Sequence, residues 1–319
     1  MSERRPGPKG VAAAAKRIAG HVTRTPLLSA SWQGVRFLVK AEALQQSGSF
    51  KLRGATNRLL QLGEEERGRG VVAFSSGNHA QGVALAARRL GIPAVIVMPS
   101  DAPKVKLAAT EEAGATIVLY DRAVESREEI AARLAAASGS VLVPSFDDVD
   151  IIEGQGSVGV EIREQLGGAP DRIVVPCGGG GLASGIALAL PESDIVIVEP
   201  EGWDDMARSL AAGEIVTVDD DAPPTACDAL QTKRVSSLTF DVLRSRAATA
   251  VAVSEVEVER AIAFAMRQLR IVAEPGGAVA LAAALSGKAG PLTERSVVVV
   301  SGGNVDPGLY ADILGRAGS

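Results

Sequence analysis

A chain of 319 residues with 46% hydrophobic side chains can fill one large or two moderate domains, and its formal charge of −5 offers no footprint for a polyanion such as nucleic acid. No apolar run reaches the roughly 18 to 20 residues of a bilayer span, and the "VAAAA" run near the start is broken by Lys16 and Arg17, as in an amphipathic helix and not a signal peptide. Two cysteines, Cys177 and Cys227, are too few for a metal cluster or a secreted disulfide scaffold, so a cytoplasmic setting with neither nucleic-acid nor membrane partner is expected.

In chain order, the first stretch that stands out is "SGSFKLRGA", residues 47–55, where Lys51 follows an aromatic and precedes Arg53 by two positions. After it a rhythm sets in: a short β-branched run, a turn, then an Ala/Leu-rich segment of helical length. "GVVAF" leads through "SSGN" into "HAQGVALAARRLG", "AVIVMP" leads into "APKVKLAATEEAG", and "TIVLY" precedes "AVESREEIAARLAAASG". Later "RIVVP" leads through "CGGGG" into "LASGIALAL"; "DIVIVEP" and finally "SVVVVSGGN" follow. Continuous apolar strands alternating with helices predict an α/β fold whose mostly parallel, twisted open sheets carry helices on both faces. The units outnumber what one compact sheet needs, which predicts two lobes. "DDDAPPTACD", residues 219–228, reads as a surface loop within a lobe.

Ligands of open α/β sheets gather beyond the carboxyl ends of the strands, and four polar or glycine-rich loops lie there: "SSGN", "CGGGG", "EPEGWDD" and "SGGN". Gly178, Gly179, Gly180 and Gly181 let the backbone approach an anion, and the helix beginning near Leu182 adds its positive end. One or two glycines would make an ordinary tight turn; four favour a phosphate. The loop lacks the Gly-Lys-Ser/Thr ending of a nucleoside-triphosphate loop and the GxGxxG spacing of a nicotinamide site. Ser75, Ser76, Gly77, Asn78 and His79 offer hydroxyls, an amide and free N–H groups for a carboxylate or phenolate-type oxygen, although helix capping uses the same residues. Lys51 sits among residues too small and apolar for a solvated charged face. Desolvation beside Arg53 would favour its neutral, nucleophilic amine.

"SGSFKLRGA", "SSGNHAQG", "PCGGGGLASG", "EPGGAVALAA" and "SGGN", in this order across about residues 25–306, resemble pyridoxal-phosphate enzymes of the tryptophan-synthase-β fold type (fold type II), above all the threonine/serine dehydratase and serine racemase branch. The resemblance implies pyridoxal 5'-phosphate in Schiff-base linkage to Lys51, which also exchanges the substrate Cα proton. It implies Phe50 against the cofactor ring and Asn78 on its phenolic oxygen. Gly178, Gly179, Gly180, Gly181 and Leu182 then hold its phosphate, and Ser301 faces its pyridine nitrogen. Ser75, Ser76, Gly77 and His79 match the loop that receives the substrate carboxylate, and Ser76 matches a second acid/base on the opposite cofactor face. Glu199, the Trp203 carbonyl and Asp205 match a magnesium or calcium site, with oxygen ligands suited to a hard cation.

The implied enzyme is an ammonia-lyase that converts L-threonine or L-serine to a 2-oxo acid and ammonia. A hydroxyl at Ser301 holds the ring nitrogen protonated less well than an aspartate, which favours expelling a β-leaving group. The acid for the departing hydroxyl is not evident from the motifs; the cofactor phosphate is one candidate. The expected lobes are residues 1–69 with 148–319, binding the cofactor, and a small mobile substrate-side lobe, 70–147, in a homodimer. Departures keep a serine or aspartate racemase and a 3-hydroxyaspartate dehydratase open. Ala229 replaces a common glycine, Lys233 and Arg234 are placed to meet a second acid group, and Arg127 resembles a racemase carboxylate contact but reads more simply as a solvated helix residue. A non-catalytic phosphate-binding module is the remote alternative. Ending at Ser319, the chain is expected to lack the regulatory extension of isoleucine-controlled dehydratases.

Overall fold

The structure is a computed structural model and describes residues 4–75, 77–102 and 104–317. Among these residues ten strands form two sheets. The chain first makes an antiparallel hairpin from β1 (Leu27–Trp32) and β2 (Val35–Ala41), joined at Gln33 and Gly34 with φ of 48° and 82°. Two successive positive φ values match the right-handed twist of paired strands, so this short turn closes the hairpin without splaying it. The hairpin lies outside the strand–turn–helix rhythm of the sequence.

The next four strands, β3 (Val71–Phe74), β4 (Ala94–Pro99), β5 (Thr116–Tyr120) and β6 (Val141–Leu142), form a parallel sheet in the order β5-β4-β3-β6. The last four are β7 (Arg172–Pro176), β8 (Asp194–Pro200), β9 (Thr249–Val253) and β10 (Val297–Val300). They join the hairpin in a six-stranded sheet ordered β1-β2-β10-β7-β8-β9, parallel apart from β1 against β2. The fold is α/β, with helices on both faces of its sheets, as expected. β6 and β9, unread in the sequence, are a two-residue strand and a half-buried edge strand.

Central strands are apolar because both faces are covered: Val297, Val298, Val299 and Val300 are fully buried. The helix Pro275–Ser286, almost all Ala, Gly, Val and Leu, packs into the larger sheet's core beside β7 and β10. The helix Lys51–Leu60 instead sends Leu52, Ala55 and Leu59 into the core of the smaller sheet. Its close neighbour is the helix Asn78–Leu90. A Cβ on Gly82 there would lie 3.0 Å from the Lys51 backbone carbon, so glycine permits this contact. Lys51 therefore starts a helix packed on one sheet while the strand ends of the other face it. Among the described residues no helix is long and apolar enough to cross a membrane.

Candidate active site

Lys51 is partly buried at the first turn of its helix. Its Nζ donates to the Ser145 carbonyl at 3.0 Å and stands 5.2 Å from the centre of the Phe50 ring. Burial pushes the amine down to about 8 from 10.5, and the positive helix end beside it also disfavours a cation. Arg53 does not produce this shift. Its guanidinium is turned away into a buried cluster, on Glu42 at 2.7 and 2.8 Å and on Glu161 at 2.6 and 2.9 Å. The two cations of "FKLR" thus have separate tasks: one fixes the helix, and the other pairs with no carboxylate among the described residues.

The glycine loop lies between β7 and the helix Gly181–Ala189, with Gly180 at φ 83°. A Cβ on Gly180 would come 2.9 Å from Met206 Cε, one on Gly178 3.2 Å from Thr232 Oγ1, and one on Gly179 would clash with the Phe146 ring at its Cδ1. Side chains are thereby excluded from the floor of the site. Phe50, Lys51, Asn78, the four glycines, Leu182 and Ser301 line one small cavity, together with Phe146 and Ala229. It adjoins a cavity of about 640 Å³ that shares Lys51, Asn78, Phe146 and Ala229 and reaches Ser75, Gly77, His79, Lys106 and Glu274. Ser76, given a second proton-transfer role by the resemblance, lies outside the described residues.

Asn78 is buried and oriented by two neighbours. Its Nδ2 donates to Glu274 Oε1 at 2.5 Å, and Asn304 Nδ2 donates to its Oδ1 at 2.7 Å and to the Ser47 carbonyl at 2.8 Å. One amide hydrogen of Asn78 remains for a ligand oxygen. Glu274 was missed in the sequence, though an acid opening the apolar run "PGGAVALAAAL" is its signal. Burial, reinforced by Asp228, raises it to about 8, against the opposing pull of Asn78 and Lys106. His79 packs its ring inward: Nε2 meets the Val143 carbonyl at 2.9 Å, and burial, with Lys51 nearby, drops its pKa to about 3. The neutral ring donates from Nε2, while Nδ1 has no partner. The anion-binding capacity of this loop is therefore in the first-turn N–H groups of the helix Asn78–Leu90.

Glu199 ends β8 and accepts from the Met206 and Ala207 amides at 3.1 and 2.8 Å. Burial first, then Asp205, raises it well above the ordinary carboxylate range. Asp205 is buried too and is pushed up to about 7 chiefly by burial. Its two oxygens lack a well-formed hydrogen bond, although the Asp205 and Val235 amides temper the shift. Two buried acids, one of which raises the other, are what a divalent cation would relieve. Among the described residues no group of three or more His, Cys, Asp or Glu side chains gathers there. Trp203 is fixed by donating from Nε1 to the Pro223 carbonyl at 2.8 Å.

Residues 18–303 match the model of a family described as pyridoxal-phosphate dependent enzyme. The chain belongs to that family. The L-threo-3-hydroxyaspartate ammonia-lyase of a Pseudomonas species is 44% identical to it over 94% of this chain and 96% of that one. An L-threonine ammonia-lyase of Thermotoga maritima is 42% identical over 89% of this chain and 71% of that one. Among solved structures, maize serine racemase superposes with a TM-score of 0.91 at 36% identity, covering 98% of both chains. The site fits the cofactor of this pyridoxal-phosphate enzyme family: a glycine floor closed to side chains, an amine paired with no carboxylate among the described residues, a fixed amide at Asn78 and a hydroxyl at Ser301.

Proposed function

We propose that this chain is an ammonia-lyase acting on a β-hydroxy amino acid, with L-serine and L-threonine as the simplest members of the class. Water is lost across the Cα–Cβ bond and a second water hydrolyses the resulting enamine, so the net products are a 2-oxo acid and ammonia. The observation that carries this reading is Ser301, buried and lining the cofactor cavity with a neutral hydroxyl where an acid would reinforce a stronger electron sink. The bound cofactor supplies a sink for the electron pair left at Cα.

The rest falls to the chain. Lys51 anchors the cofactor and, with its lowered pKa, takes the Cα proton near neutral pH. N–H groups around Ser75, Gly77 and His79 hold the substrate carboxylate, and the glycine loop with Leu182 holds the cofactor phosphate. Ser76 is a second acid/base position in the same reading. Glu199, the Trp203 carbonyl and Asp205 bind magnesium or calcium behind the loop, where Met206 touches the Gly180 position. Residues 70–147 form a lobe that closes over substrate and excludes water, and residues 1–69 and 148–319 form the lobe that holds the cofactor, in a homodimer.

The test is a combined assay of 2-oxo acid and ammonia across stereoisomers of serine, threonine and 3-hydroxyaspartate, with chiral analysis of the amino acid that remains. Equal amounts of both products are expected. Enantiomer conversion without either product would make the chain a racemase instead.

A further inference from the structure

The 640 Å³ cavity has a polar wall that the proposed reaction does not use. Lys106, on the helix Lys104–Glu112, reaches across the mouth and pairs with Asp228, next to Ala229. Its side chain is only 15% exposed, whereas Asp228 is 47% exposed. Around it the cavity carries the cations Arg127, Lys233 and Arg234, and the acids Glu128, Asp147 and Glu274 besides Asp228. Arg127 is occupied by Glu128 at 2.9 Å and lies over the Phe74 ring, and Lys233, 71% exposed, leans toward Asp220 at 3.5 Å. Lys106 is thus a sheltered cation whose counter-ion is a half-exposed aspartate.

We propose that Lys106 is the receptor for a second, side-chain carboxylate of the substrate, which takes the place of Asp228, and that this residue makes the site selective for dicarboxylic β-hydroxy amino acids. The inference rests on the lyase reading for the identity of the substrate but not for the contact itself. Position supports it. Lys106 Nζ would lie 3.8 Å from a Cβ on Gly77, so it borders the loop that receives the first carboxylate. The N–H groups of that loop serve one anion, and the lysine supplies a point charge for another. For a monocarboxylic substrate Asp228 keeps the lysine neutralised. A dicarboxylate exchanges one carboxylate for another, so no sheltered charge is left unpaired.

The test uses the pyridoxal-phosphate-loaded protein and its Lys106→Met, Lys106→Arg and Asp228→Asn variants. The ratio of kcat/KM for L-threo-3-hydroxyaspartate to that for L-serine should fall about 100-fold in Lys106→Met and recover to within about tenfold of the starting ratio in Lys106→Arg. A second readout needs no turnover: calorimetric binding of (2S,3S)-tartrate, which has the threo configuration, and of lactate as the monocarboxylate control. Tartrate should weaken selectively in Lys106→Met and tighten in Asp228→Asn, which removes the competing acid. A ratio that moves less than about threefold, equal weakening of tartrate and lactate, or weaker tartrate binding in Asp228→Asn would overturn the assignment. If the unaltered protein turns over none of serine, threonine and 3-hydroxyaspartate, the lyase reading fails, and the tartrate measurements still decide the role of Lys106.

Discussion

Lys40, on β2, and Lys51, at the start of the helix Lys51–Leu60, show two fates of a lysine withdrawn from water. Lys40 is fully buried and held by Glu161 at 2.6 Å, the Thr25 carbonyl at 2.8 Å and Gln165 at 3.0 Å. Arg53, Glu42 and Glu161 extend that cluster until its charges and donors meet partners. Lys51, at the start of the same helix as Arg53, meets a carbonyl and an aromatic face and no acid among the described residues. Both lysines feel the cost of burial, yet only Lys40 is offset by acids. Complete pairing fixes architecture, whereas incomplete pairing leaves an amine free to react.

The contrast is broken most severely by removing each cation in turn. Lys51→Ala should cost about 10⁴-fold or more in turnover while thermal unfolding shows no loss of stability, because the lysine anchors chemistry and not the fold. Arg53→Met should do the reverse, leaving Glu42 and Glu161 buried without their partner. Urea unfolding should then show a loss of about 3–5 kcal/mol. A stability change below about 1 kcal/mol would mean that the cluster does not hold the helix.

Gly179→Ala sharpens the comparison at the site's floor, since its methyl group would clash with the Phe146 ring. Pyridoxal phosphate affinity, measured by absorbance titration, should weaken about tenfold, or about 1.4 kcal/mol. The last prediction concerns pH. In the cofactor-free protein the Lys51 amine titrates near 8, but near 10.5 when unfolded. Between these values the unfolded chain binds the extra proton, so this group makes the protein more stable as pH rises through that window. Lys51→Met should remove that gain; an unchanged slope in chemical denaturation across the same window would show that the amine is not desolvated.

Local patterns made much of this readable. β4, β7 and β8 coincide with "AVIVMP", "RIVVP" and "DIVIVEP", because a strand buried on both faces is a continuous apolar run; β5 coincides with "TIVLY" although it is a partly exposed edge strand. The glycine loop was legible for a similar reason: four residues without side chains have few other uses. What escaped depends on partners distant in sequence. Arg53 could not be separated from Lys51 until Glu161, 108 residues away, was seen to claim it. Glu274 is 196 residues from Asn78, and Lys106 is 122 residues from Asp228. No periodicity records such meetings. The β1–β2 hairpin escaped because its turn uses Gln33 at positive φ, in place of the Asn or Asp that usually marks it.

The central claim is that Lys51, and not its paired neighbours, carries the cofactor. Reduction of the pyridoxal-phosphate-loaded protein with borohydride, followed by proteolysis and mass spectrometry, tests this directly. The phosphopyridoxyl group should be found on the peptide carrying Lys51. Its stoichiometric attachment to Lys40 or Lys106 instead, with Lys51 unmodified, would contradict the account.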